Sequence, residues 1–356
     1  MAYLSIGIQL INLTLRTLFS HLSDALSIFL FNCLQKPHTL PSDFSIQLEQ
    51  YIKSWEKSSL EDYYSPDPGY EKKISAYIAS SLNCYNQIVF PSFIRGPDRY
   101  SNYAIFDLFP SKLGWDRSPT MIIVHGLLSL SLKGYVKWIK WLNQKGWNGA
   151  IMHLPYHFQR KAPFLTLSSS SCVQPNLLYT MEILRQSVID LYIFTKGLSL
   201  AGSPHIAAWG ISYGAWTISQ LSCIHEILQK LILVEPLLHL DHVIWHSPIG
   251  KEIRKKLTQQ GITPLNTSPH LRLACPSLSK PKLEGNNILI VGGLFDKISP
   301  PWILEKIKEK WETKHLYLFP VGHLNYTLTS KSFKLALKCW KDDFSLSPLL
   351  TRAKKS

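Results

Sequence analysis

The strongest chemical signal in the chain is the pentapeptide Gly210-Ile211-Ser212-Tyr213-Gly214, placed between the apolar run His205-Ile206-Ala207-Ala208-Trp209 and a stretch of helical period. A serine there can sit on a sharp, strained strand-to-helix turn that lifts its hydroxyl above a sheet. Side chains at 210 and 214 would collide with the neighbouring strand and helix. A free hydroxyl is a poor nucleophile at neutral pH, so this chemistry also needs an imidazole to take the proton and a carboxylate to orient that imidazole. Both residue types occur later, at the ends of apolar runs. Ile288-Leu289-Ile290-Val291 leads into Gly292-Gly293-Leu294-Phe295-Asp296, and Leu316-Tyr317-Leu318-Phe319 leads into Pro320-Val321-Gly322-His323. Ser212, His323 and Asp296 are the candidate nucleophile, base and acid. Glu235, which closes Leu231-Ile232-Leu233-Val234, and Asp241 just beyond it are the alternative acids.

In this order and at these strand ends, the three residues resemble the α/β-hydrolase superfamily, from about Ile88 to Lys341. The resemblance implies a serine hydrolase with no cofactor and no metal. It favours Asp296 as the acid, because a strand followed by two glycines and an aspartate is the commoner arrangement in the family. Met121-Ile122-Ile123-Val124 runs into His125-Gly126-Leu127-Leu128, similar to the family's HG turn. That likeness assigns the oxyanion-hole amides to Leu127 and Tyr213. His125 is expected to brace the turn, and His125, Gly126, His157 and Phe295 are the residues expected at the substrate. Pro155, His157 and Arg160 resemble the P-x-H-x-x-R-x-P loop of a bacterial branch of these hydrolases whose substrates are mostly unassigned, with Pro163 one residue later than that spacing.

Four other groups suggest different roles. His153 and His157 are four apart, but Pro155 between them breaks the helix that would turn both toward one metal. Arg160 can pair with an acidic group of a substrate or, by preference, with a surface carboxylate. His239, His242 and His246 lie at helical spacing without an HExxH pattern and read as polar residues on a cap or pocket-facing helix. Tyr213, Trp216, Phe295 and Phe158 could line an apolar acyl pocket.

Holding such a site takes alternating strands and helices. The patterns predict strands at Tyr103 to Phe109, Thr120 to Val124, Gly149 to Leu154, His205 to Trp209, Leu231 to Val234, Ile288 to Val291 and His315 to Phe319. Helices are predicted at Leu132 to Lys145, Asn176 to Lys196, Tyr213 to Leu228, Pro301 to Trp311 and Ser332 to Lys341. Alternation forces crossover connections, so an α/β fold is expected, with a mostly parallel central sheet flanked by helices and ligands beyond its carboxyl edge. The expected divisions are an amphipathic N-terminal helix (1–35), a helical lead-in (36–87), an α/β-hydrolase domain (88–345) and a basic tail (346–356). A proline-rich cap insertion is expected over about 236–285, with a second flexible rim at 165–171.

The N-terminal stretch lacks both the basic start of a signal peptide and an uninterrupted apolar span, because Arg16, His21 and Asp24 interrupt it. Leu4, Ile8, Ile11, Leu15, Leu18, Leu22, Ala25 and Phe29 instead recur at steps of three and four, with polar residues on another face. That helix either packs on the protein or a second copy, or lies in a membrane interface. The 356 residues carry a net charge of +14, favouring anionic surroundings, but no nucleic-acid motif accompanies it. Six scattered cysteines without CxxC read as reduced thiols of a cytoplasmic protein, with membrane association through residues 1–35 left open. The expected partner is a small-molecule or lipid acyl substrate, cleaved most simply at a carboxylic ester. The alternative is a non-catalytic, membrane-associated binding protein on the same fold. Oligomeric state and pathway are not encoded in any motif.

Overall fold

The computed structural model describes residues 17–18, 20–26, 28–29, 40–161, 172–325 and 327–341. The first half of the predicted N-terminal helix, Cys33, the proposed rim at 165–171 and the basic tail lie outside the described residues.

Eight strands form one sheet in the order β1-β2-β4-β3-β5-β6-β7-β8. They are β1 Gln87–Pro91, β2 Tyr103–Phe109, β3 Thr120–Val124, β4 Asn148–His153, β5 Ile206–Ile211, β6 Lys230–Val234, β7 Ile288–Gly293 and β8 His315–Phe319. Only β2 runs against its neighbours, pairing antiparallel with β1 and β4; every other pairing is parallel. The residues of β3, β4, β6 and β7 are buried throughout, as expected of strands covered on both faces. The edge strand β1 was not anticipated. Its alternating burial is that of a half-exposed edge, and five residues give a weak period-2 signal.

Helices cover both faces. One core packs α4 (Pro68–Ser81), α6 (Leu177–Leu200), α7 (Tyr213–Ile224) and α11 (Pro301–Lys310) against the sheet, with Phe106 stacked on Phe194 at 3.9 Å between ring centroids. The other core packs α5 (Lys133–Gln144) and α12 (Thr327–Cys339) around Trp209 and Phe333. Between β6 and β7 the chain builds α8 (Leu240–Trp245), α9 (Lys251–Gln259) and α10 (Pro264–Ala274). The lead-in carries α2 (Phe44–Ser54) and α3 (Leu60–Tyr64). It is more than a connection: Phe44, Leu48 and Ile52 of α2 bury against Ile253 and Leu257 of α9 and Leu177 and Met181 of α6, a small core that ties the cap segment down.

The described residues between 17 and 29 form a further helix, α1. Its polar side turns inward: Ser20 and Asp24 are buried, while Leu18, Leu22, Leu26 and Phe29 are exposed.

Arg160 is not at the surface. It is fully buried, paired with Asp190 of α6 at 2.9 Å, and it donates to the carbonyls of His153 and Ser101. Burial raises the Asp190 carboxyl above its usual range, with Arg160 opposing the shift. Removing one partner of such a pair strands the other charge. Arg160→Met is therefore expected to destabilise the protein by about 3–5 kcal/mol, less whatever Asp190 recovers by protonating. Urea unfolding checks this, and an unchanged midpoint would refute the structural role of the pair.

Candidate active site

The carboxyl ends of β3, β5, β7 and β8 bring the predicted residues together. Ser212 follows β5 with φ +52° and ψ −110°, a left-handed conformation unusual for a residue other than glycine. Its N–H donates to Val234 O at 2.8 Å, anchoring the turn to β6. The flanking glycines are sterically required. A Cβ on Gly210 would stand 2.6 Å from the Ala215 backbone, and one on Gly214 would stand 2.1 Å from Val124 O.

Ser212 Oγ lies 2.9 Å from His323 Nε2, and His323 Nδ1 lies 2.7 Å from Asp296 Oδ2. The other oxygen of Asp296 accepts the N–H groups of Ile298 and Ser299 at 2.7 and 2.8 Å, which fixes the carboxylate after β7. Burial alone would lower the His323 pKa, but the charge and hydrogen bond of Asp296, with Asp24 adding, raise it above the ordinary imidazole value. An imidazole so placed can accept the Ser212 proton and hold it as a stabilised cation.

Of the residues expected at the substrate, only Gly126 lines the cavity beside Ser212. A Cβ there would come within 3.6 Å of Ser212 Cβ, so the Gly126-Leu127 turn closes over the serine. Leu127 lines the same cavity, and Tyr213 is the first residue of α7, where a helix leaves its amides unpaired. His125 and His157 both brace the turn, and neither lines the cavity. Burial and the nearby His157 hold the His125 imidazole neutral, and its Nε2 accepts the Leu154 N–H at 3.1 Å while Nδ1 faces Gly126 O at 2.9 Å. His157, also kept neutral by burial, reaches Leu127 O with Nε2 at 2.5 Å. The two rings fix the turn from behind. Phe295 packs near His21 of α1, with centroids 6.1 Å apart, and does not line the cavity. Tyr213 turns its hydroxyl to Ser187 and Trp216 donates to Ala274 O, so both belong to the core. His239 bonds Ser277 Oγ at 2.8 Å, while the rings of His242 and His246 stack 5.8 Å apart.

The cavity is walled mainly by apolar side chains, with Leu237, Val243, Ile244, Ile249 and Ile253 supplied by the segment after β6. Glu235 also lines it. Its φ is +48°, it is buried, and its Oε1 has no hydrogen-bond partner. Burial, then the charges of Asp296 and Asp24, push its carboxyl well above the usual range. Asp241 lies in the first turn of α8.

Asp24 belongs to this site although no local pattern points to it. From α1 its two carboxylate oxygens accept the backbone N–H groups of His323 and Leu324 at 2.9 and 3.0 Å, and Ile28, one turn on, lines the cavity. A Cβ on Gly322 would fall 2.1 Å from Asp24 Oδ2 and push the carboxylate off the loop, so glycine here permits the close approach.

No known protein-family model matches the chain. The uncharacterized protein YdjC of Bacillus subtilis is 27% identical over 92 residues, which is 26% of this chain and 79% of that protein. Among solved structures, the uncomplexed acylaminoacyl peptidase of Pyrococcus horikoshii aligns with a TM-score of 0.50 and 14% identity over 74% of this chain. A prolyl endopeptidase aligns with a TM-score of 0.51 and 14% identity over 72% of it. The chain spans only 42% and 38% of the lengths of these two peptidases. At such identity the likeness is one of fold.

Asp24 acts on the imidazole through the backbone of its loop, and hydrogen bonds to a charged acceptor are worth about 1.5–3 kcal/mol each. Asp24→Ala is expected to lower kcat on a soluble ester by roughly 10–100-fold, tenfold for each ~1.4 kcal/mol of lost positioning, with little change in KM. Because the Asp24 charge helps raise the His323 pKa, the midpoint of the pH profile should also fall. Asp24→Asn, which keeps one acceptor, should recover part of the rate. Unchanged kcat and an unmoved midpoint in Asp24→Ala would refute the positioning role.

Proposed function

We propose that this chain, which has the α/β-hydrolase fold, is a serine hydrolase that cleaves a carboxylic ester with an apolar acyl group through an acyl-enzyme intermediate. The observation that carries the reading is the unbroken relay from Ser212 through His323 to Asp296, at 2.9 and 2.7 Å, on a strained elbow that opens into an apolar cavity. Left-handed backbone at a half-buried serine costs of order 1–3 kcal/mol and persists where the surroundings over-determine it.

In the proposed reaction, Ser212 Oγ attacks the ester carbonyl carbon while its proton passes to His323 Nε2. The carbonyl oxygen takes the negative charge and rests on the amides of Leu127 and Tyr213, each donor being worth a few kcal/mol of barrier. Asp296 stabilises the imidazolium. The imidazolium protonates the departing alkoxide, leaving the acyl group on Ser212. Water, deprotonated by the same imidazole, then releases the acid and restores the serine. Every proton is carried by this one ring, so the scheme uses no cofactor. The apolar walls support an acyl chain over a charged peptide side chain. Thioesters and amides would use the same machinery, and parallel assays of matched ester, thioester and anilide rank them. Among the described residues the cysteines are free thiols, and no helix is long and apolar enough to cross a membrane. The thiols support a reducing, cytoplasmic setting.

A fluorophosphonate probe at neutral pH is expected to label Ser212 stoichiometrically, located by mass spectrometry, with no label on Ser212→Ala and at least 10³-fold slower labelling of His323→Ala. A folded protein that stays unlabelled would refute the hydrolase reading and favour the non-catalytic binding protein.

The pH dependence is a separate check. Catalysis needs neutral His323, and its pKa is raised, so kcat/KM should climb with pH to a midpoint above about 6.5 and be lost as pH falls through that midpoint. Asp296→Asn should lower the midpoint and cut kcat by about 10⁴-fold. A profile that is flat or falls between pH 6 and 8 would contradict His323 as the base.

A further inference from the structure

α1 sits on the protein with the opposite polarity to an ordinary surface helix, whose apolar stripe turns to the core. Its inward residues are Ser20, Asp24 and Ile28, and its outward residues Leu18, Leu22, Leu26 and Phe29 are 56%, 61%, 60% and 63% exposed. These four recur at steps of four, four and three, so they form one stripe along the helix. The same helix holds the His323 loop through Asp24 and walls the cavity through Ile28. Two more exposed leucines border this region. Leu130, 76% exposed, follows the cavity residue Ser129, and Leu294, 46% exposed, precedes Phe295, which packs near His21 of α1.

We propose that the outward stripe of α1 docks on an anionic phospholipid surface, presenting the cavity to the lipid, so that the ester cleaved is one dissolved in the membrane. The docking stands on the exposed stripe; the substrate class rests in addition on the serine-hydrolase reading. Charge supports the choice of lipid. The chain carries +14, and Lys133, Lys251 and Lys297 are exposed one or two residues along from the cavity residues Tyr135, Gly250 and Ile298. A helix lying in an interface couples buried apolar side chains to such basic groups. Area argues against a second copy as the occupant. Four side chains of this exposure offer on the order of 500 Å², the size of a functional patch, whereas a stable dimer buries about 800 Å² per partner.

The test is flotation of the full-length protein with vesicles of phosphatidylcholine alone or with 30% phosphatidylglycerol, alongside turnover of a short soluble ester and of a long-chain ester dissolved in the vesicles. Wild type should float with the anionic vesicles and be released by high salt. Leu22→Glu/Leu26→Glu should bind at least tenfold more weakly and lose at least tenfold in turnover of the vesicle ester, with soluble-ester turnover unchanged. Leu22→Gln/Leu26→Gln, which adds no charge, should also bind more weakly. Ser212→Ala should float like wild type, so an inactive serine would remove the substrate claim and leave the docking result readable. The docking is overturned if wild type stays off anionic vesicles, if both double variants float equally well, or if sedimentation shows a lipid-free dimer that the double variants abolish. Unimpaired turnover of the vesicle ester by a variant that no longer floats would overturn the substrate class alone.

Discussion

His323 is buried in a loop, outside any helix or strand, so its place depends on hydrogen bonds from three distant stretches of chain. Ser212 meets it from the turn after β5, Asp296 from the turn after β7, and Asp24 from α1. Each contact fixes a different freedom. Asp296 sets the tilt and tautomer of the ring, since a carboxylate at Nδ1 keeps the proton there and leaves Nε2 as the acceptor. Asp24 sets the backbone beneath the ring, and Gly322 lets that backbone come close enough. The sheet contributes by rigidity: parallel strands buried on both faces end at one edge, so turns over a hundred residues apart in sequence meet within hydrogen-bonding distance.

Legibility in the sequence tracked how local each cause is. The elbow was readable because its reasons lie within five residues: glycines at 210 and 214 and a serine between them. β3, β5, β6 and β7 were readable as continuous apolar runs, and all are present within a residue or two of the expected bounds. α12 starts five residues before the expected Ser332, because its first turn presents Leu328 to the core amid polar neighbours. Residues whose partner is remote were misread or missed. Arg160 reads as the partner of a surface carboxylate until Asp190 appears opposite it, and His157 follows a strand end yet turns away from the cavity to hold a loop, as His125 was expected to do. Asp24 looked like a polar break in an apolar helix; the N–H it accepts at His323 is 299 residues away.

The cap segment and the lead-in have a joint consequence for the cavity. Val243, Ile244 and Ile253 form its wall, and the far side of α9 is pinned to α2 through Leu48 and Ile52. A short helix such as α8 buries none of its residues fully and could not hold a wall unaided. The small core behind α9 supplies the rigidity, which explains why a segment that reads as a polar lead-in carries three apolar residues at helical spacing.

Three carboxyl groups gather at the site, Asp296 and Asp24 bonded to the His323 loop and Glu235 in the cavity wall. Like charges a few ångströms apart in a dry pocket cannot all ionise. Asp296 has two backbone donors and the imidazole, and Asp24 has two backbone donors, whereas Glu235 Oε1 has none. Burial without a donor at Oε1 is what raises the Glu235 carboxyl above its usual range. This ordering keeps the acid of the relay distinct. In the proposed reaction a carboxylate at Glu235 would face the cavity and repel the oxyanion on Ser212, and a raised Glu235 pKa lessens that repulsion. The left-handed backbone at Glu235 and at Ser212, on adjacent strand ends joined by the bond from Ser212 N–H to Val234 O, places both side chains over the sheet edge. Strain, burial and charge at this edge are thus one arrangement: the backbone turns that expose the serine hydroxyl also lift a carboxyl into the cavity, and burial raises the pKa of that carboxyl.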